Sequence, residues 1–190
     1  MVELRHRSGT AARALEFLVL TASRSGETRG ACWSEFDLDA GIWTIPASRM
    51  KANVEHRVPL SDPALRLLRA LPSIDGTDLV FPGSTGRTDN KPKPLSDMTL
   101  LAIMRRMNAQ AVPHGFRSTF RDWASERTNY PRDVAEMALA HAIENKVEAA
   151  YRRGDMFDKR AKMMAAWATF CAKRPAALAS VTAIHRRASA

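Results

Sequence analysis

The stretch from Pro113 to Tyr151 limits this chain more than any other. It reads PHGFRSTFRDWAS, a short polar loop, then PRDVAEMALAHAIENKVEAAY. Val112-Pro113 ends a loop, and a helix is predicted from near His114. His114 and Arg117 are three residues apart, so an imidazole and a guanidinium share a helix face. That face lies at a helix N-terminus, where free backbone N–H groups and the dipole favour an anion. A second helix is predicted from Pro131, with His141 after it, and Tyr151 ends the next amphipathic segment. Two imidazoles, a guanidinium and a phenol, with no acidic cluster for a metal, suit metal-free chemistry on a phosphodiester.

Charge points the same way. The 190 residues include 29 Lys and Arg against 20 acids, a formal charge of +9. Counting the basic residues gives 22 Arg and 7 Lys. This balance implies attraction to polyanions, nucleic acid first, and arginine suits bidentate phosphate contacts. Cys32 and Cys171 stand far apart without a CxxC or His/Cys metal spacing, which implies a reducing compartment and no structural zinc. Leu15 to Leu20 is too short an apolar run for a membrane span, so a soluble protein of the bacterial cytosol and nucleoid is expected, with no membrane partner.

The remaining pattern gives one mostly helical α+β domain with a small antiparallel sheet. Residues 1–9 are polar and basic and read as a linker remnant, residues 10–173 as the domain, and residues 174–190 as a loose tail. Helices are predicted over Thr10 to Thr21, from Ser61-Asp62-Pro63, from Ser96 to about Asn108, and from Asp155 to Lys173. Arg24 falls on a tight turn after the first of these. Alternation through Ile42 to Ile45 predicts a strand, Arg49 to Asn53 a hairpin tip, and His56 to Leu60 the returning strand. Leu79 to Phe81 reads as a short strand, and residues 82–94 as a polar loop rich in Gly and Pro.

A phosphodiester resists attack because its anionic oxygens repel nucleophiles and its leaving alkoxide is poor. Without metal, a protein needs cations on the non-bridging oxygens, a nucleophile and an acid for the leaving oxygen. Arg24 and Arg117 can supply the clamp, Tyr151 the nucleophile, His114 a base or phosphate donor, and Lys51 the acid. Each residue also has an ordinary use. Arg24 can cap a helix with Glu27 as its ion-pair partner, His141 can complement a helix C-terminus, and Arg49 and Arg57 share the hairpin with Lys51.

Taken in order, TASRSGE, RMKANVEHRVPLS, HGFRSTFRDWA and LAHAIENKVEAAY resemble the catalytic domain of the tyrosine recombinases, the prophage-type integrases above all. The resemblance covers residues 10–173. It implies catalytic roles for Arg24, Lys51, His114, Arg117, His141 and the nucleophile Tyr151, with Glu27 in an acidic, mainly structural place. Ala140 departs from the glycine that many members carry before the last histidine. The implied activity is site-specific cleavage and rejoining of DNA through a 3′-phosphotyrosyl link, in prophage integration or excision, without metal, ATP or another cofactor. The implied partners are double-stranded DNA at attachment sites, a homo-tetramer on that DNA, and accessory DNA-bending proteins. Full-length members carry further DNA-binding domains ahead of this one. A non-catalytic DNA-binding fragment and a type IB topoisomerase are the alternative readings.

Overall fold

The structure is a computed structural model and describes residues 1–85, 91–141 and 154–173. Among these residues lie eight α-helices and two small antiparallel sheets, a mostly helical α+β fold. Helix α2 (Thr10–Thr21) is its hub, flanked by α1 (Val2–His6), α3 (Ser25–Arg29), α4 (Asp62–Arg69), α5 (Thr99–Arg106) and α8 (Phe157–Ala172). The sequence shows one apolar stripe on α2, yet the helix is buried on nearly every face, from Ala12 to Leu20. Its one acid, Glu16, is 5 % exposed and receives both Arg5 (2.8 Å) and Arg13 (2.5 Å), so the buried carboxylate is paired. That pairing and the burial of Leu4 dock α1, within the stretch read from sequence as a linker remnant, against α2.

The predicted hairpin is present. Strands β1 (Phe36–Asp37), β2 (Ile42–Ile45) and β3 (His56–Pro59) pair antiparallel in that order, with Ile42 opposite Pro59 and Ile45 opposite His56. Trp43 and Ile45 point inward, and Trp43 stacks on Phe36 with centroids 5.4 Å apart beside Phe17. Leu79 forms only a single bridge, to Cys32, rather than a strand of its own. The polar stretch 82–94 is not an unpaired loop: β4 (Pro82–Thr85) and β5 (Pro92–Pro94) pair antiparallel. Both are edges of a two-stranded ribbon, where proline costs no ladder bond. A Cβ at Gly83 would stand 3.1 Å from the Lys93 carbonyl oxygen, so glycine permits this approach.

Helices α6 (Gly115–Arg127) and α7 (Arg132–Ala138) follow, close to where the sequence puts them. A second aromatic cluster joins α6 to α8: Trp167 lies edge-on to Phe120 at 5.3 Å and beside Trp123 at 5.2 Å. The Trp167 indole N–H donates to the Val19 carbonyl at 2.7 Å, tying α8 to the hub. Among the described residues no helix is long and apolar enough to cross a membrane.

Candidate active site

Two left-handed alanines shape the site. Ala22 ends α2 with φ 50°, and Ala140 follows α7 with φ 48°. After α7 the backbone closes a Schellman motif: Ala140 N–H donates to Met137 O (3.1 Å) and His141 N–H to Glu136 O (3.0 Å). The left-handed residue of that motif is where glycine is favoured, so Ala140 holds at some cost in strain a conformation that a glycine takes freely. The motif also folds His141 back over Glu136.

Arg117 projects inward from the first turn of α6 and is 4 % exposed. Its Nη1 donates to Ala22 O at 2.7 Å and its Nη2 to Leu139 O at 2.6 Å, so it bolts the two turns together. The same Nη2 lies 3.3 Å from His141 Nε2. Arg24 caps α3 from the next turn. Its Nη2 donates to Ala140 O (3.3 Å) and its Nη1 to Glu27 Oε1 (2.7 Å). The two guanidiniums therefore take adjacent carbonyls, Leu139 and Ala140, and converge on one place. Burial, and next the Arg24 charge, push the Arg117 guanidinium down to about 10, with Glu27 acting against them. Like charges this close are held by the carbonyls and by Glu27, which is 6 % exposed. Glu27 Oε2 also accepts the Arg24 backbone N–H at 2.7 Å, the acidic half of a capping box. Beneath this turn a buried hydroxyl chain runs from Thr21 to Ser23 (2.9 Å) to Thr28 (2.7 Å), which fixes the TASRSGE loop.

His141 joins this cluster. Its Nδ1 lies 2.6 Å from Glu136 Oε2, and the other carboxylate oxygen accepts from Arg121 Nε at 2.7 Å. Burial alone raises the Glu136 carboxyl, but the His141 and Arg121 hydrogen bonds outweigh it and hold the group below its ordinary value. His114 caps α6 and is exposed, with no side-chain partner among the described residues. It faces outward while Arg117 turns in. Lys51 is exposed on the turn after Ala47–Arg49, and no contact links it to the arginines. Its hairpin is anchored, however. Arg49 pairs with Glu35 through Nη1 and donates from Nη2 to Glu27 O at 2.5 Å. A Cβ at Gly30 would meet that Nη2 at 3.0 Å, which explains the glycine. Tyr151 lies outside the described residues, as does the tail from residue 174.

Three residues at this site escaped the reading of the sequence. His56, on β3, is pushed down to about 4 by burial and then by Arg160, while Glu27 and a bond to the Ala138 backbone oppose the shift. Arg160 of α8 is 1 % exposed and donates to Asp155 Oδ2 (2.6 Å) and Arg57 O (2.5 Å), locking α8 onto β3. The third is Glu136, whose only sequence signal was its place five residues before a helix-terminal histidine.

Residues 3–156 match the phage integrase family. The chain belongs to that family. The prophage integrase IntA of Escherichia coli K12 is 40 % identical over 154 residues, covering 79 % of this chain and 36 % of that protein. The integrase of Enterobacteria phage P4 is 36 % identical over 175 residues (83 % of this chain, 39 % of the relative). The integrase of Shigella phage Sf6 is 36 % identical over 159 residues (82 % and 40 %). This family member thus spans about two fifths of the length of these relatives. No solved structure matches it.

Proposed function

We propose that this chain is the strand-cleaving domain of a site-specific DNA recombinase. The observation that carries this reading is the convergence of Arg24 and Arg117 on the successive Leu139 and Ala140 carbonyls, with His141 in contact. A guanidinium has five N–H donors. Two of those on Arg117 go to carbonyls and one to His141, and the rest remain for a phosphate oxygen. Arg24 keeps donors as well, and its side chain is 27 % exposed. Preorganised cations of this kind stabilise the charge that grows on the non-bridging oxygens during displacement at phosphorus.

In the proposed reaction the Tyr151 phenol attacks the scissile phosphorus. A P–O bond to tyrosine forms, the bond to the 5′ oxygen breaks, and a 3′-phosphotyrosyl link and a free 5′-hydroxyl result. The phenolic proton passes to a base, for which His114 is suited, and the leaving oxygen takes its proton from Lys51 on the anchored hairpin. A second 5′-hydroxyl reverses the step. The bond energy stays in the covalent link, so the scheme draws on neither ATP nor metal. The surplus of 29 basic over 20 acidic residues favours binding of duplex DNA. On that DNA the active assembly is proposed to be a homo-tetramer aided by DNA-bending proteins.

Incubation with a nicked duplex attachment site in EDTA should yield a covalent protein–DNA adduct on a denaturing gel, lost in Tyr151→Phe. Salt-dependent DNA binding with no adduct on any site would instead favour a non-catalytic DNA-binding fragment, a reading motivated by the short span relative to the relatives. An undiminished adduct in Tyr151→Phe would remove Tyr151 as the nucleophile.

A further inference from the structure

We infer that Glu136 is the positioning residue of His141, fixing its Nδ1–H tautomer and aiming Nε2 at Arg117, where the phosphate is to be received. The inference rests on the reading above, in which His141 serves strand cleavage.

One form of the ring satisfies both neighbours, and Glu136, the closer at 2.6 Å against 3.3 Å, decides it. Glu136 Oε2, 2.6 Å from Nδ1, belongs to an ionised carboxylate that can only accept, so Nδ1 carries the proton. Arg117 Nη2, 3.3 Å from Nε2, can only donate, so Nε2 presents its lone pair. The second oxygen of Glu136 is occupied by Arg121 of α6 at 2.7 Å, with Arg132 of α7 further off at 3.7 Å. These contacts favour the same carboxylate orientation without being needed for it. Backbone geometry supplies the rest, because the bond from His141 N–H to Glu136 O places the two side chains on one side of the turn. The result is a continuous path, Arg121–Glu136–His141–Arg117, from the surface of α6 to the buried guanidinium. With a phosphate oxygen on the remaining Arg117 donors, Nε2 is the ring atom beside it. Once it has taken a proton from solvent, Nε2 can donate to that oxygen while Nδ1–H stays on Glu136. A plain structural role, in which Glu136 only ties α7 to Arg121, would not require His141 to hold one tautomer.

The test reads the ring and the reaction separately. Ring nitrogen NMR of the full chain, with His141 assigned by its loss in His141→Gln, should show Nδ1 protonated and Nε2 bare. Glu136→Gln keeps an acceptor oxygen and should keep that pattern, and Arg121→Met should keep it too. Glu136→Leu should convert the ring to the other tautomer or to an average of both. Adduct formation in single turnover should then fall by about tenfold or more in Glu136→Leu, and by much less in Glu136→Gln, with DNA affinity unchanged. An unchanged ring in Glu136→Leu, or equal rate losses in the Leu and Gln variants, overturns the inference. If Glu136→Leu does not fold, Glu136→Ala is compared with and without added formate. Formate restoring the ring pattern supports the inference, and no response overturns it. The ring arm needs no DNA, so a wild type that never forms an adduct would remove the recombinase reading and leave the role of Glu136 to be decided by the tautomer.

Discussion

Acid should weaken this domain through one imidazole. His56 is held near 4 in the folded chain, against 6.5 as its ordinary value, by burial and by the Arg160 and Arg24 charges. Because the folded value is the lower one, the unfolded chain binds the proton more readily. The stability tied to neutral His56 is therefore complete above about pH 6.5 and is lost as the pH falls toward 4. Full protonation would cost about 3 kcal/mol, from roughly 1.4 kcal/mol per unit of pKa. At pH 5 the linkage relation gives about 2 kcal/mol, and partial solvent access makes this an upper figure. For a chain of this size that corresponds to a fall of about 4–8 °C in Tm. The perturbation is His56→Gln, whose amide can still donate toward the Ala138 carbonyl but does not titrate. Urea unfolding of both proteins at about pH 7.5 and pH 5 should show the wild type losing about 2 kcal/mol more than the variant. Parallel losses would refute the reasoning, since the remaining histidines and carboxylates are common to both.

Two further outcomes are expected. Ala140→Gly should stabilise the chain by about 0.5–1 kcal/mol in the same assay, because glycine takes φ 48° without the Cβ clash, whereas Ala140→Val should destabilise it by more than 1 kcal/mol. Arg160→Met should cost about 2–3 kcal/mol, below the roughly 3–5 kcal/mol of a fully buried broken pair, because Asp155 is 39 % exposed and keeps Arg57 at 3.4 Å. Its readout is the urea midpoint, together with loss of the protection of α8 amides in hydrogen exchange.

Helices α2, α4, α5, α6, α7 and α8 were legible from the spacing of their apolar positions, with Pro63, Pro113 and Pro131 marking three of the starts. The expected Thr10 cap is absent: Gly9 holds that place and no side chain bonds there. The β2–β3 hairpin was legible for the same reason, through alternation and an Asn53 able to take φ 52°. The ribbon formed by β4 and β5 was not, because proline and glycine signal a loop unless a partner edge is known. Arg24, Glu27, Arg117 and His141 could be named from motif order, but their meeting could not be read locally. It depends on the Ala22 and Leu139 carbonyls, which are main-chain atoms present at every residue. His56 and Arg160 were invisible for a related reason. Their importance comes from burial against each other's elements, and nothing in EHRVPLS or DKRAKMM distinguishes them from surface residues.

The Leu139 and Ala140 carbonyls belong to consecutive residues, yet each seats a different guanidinium. The spacing between the two cations is thus gauged by the pitch of a single peptide unit, much as caliper jaws are set by one slide. Each jaw is also held from its far side, Arg117 by the Ala22 carbonyl and Arg24 by Glu27, so the gap is set from three directions at once.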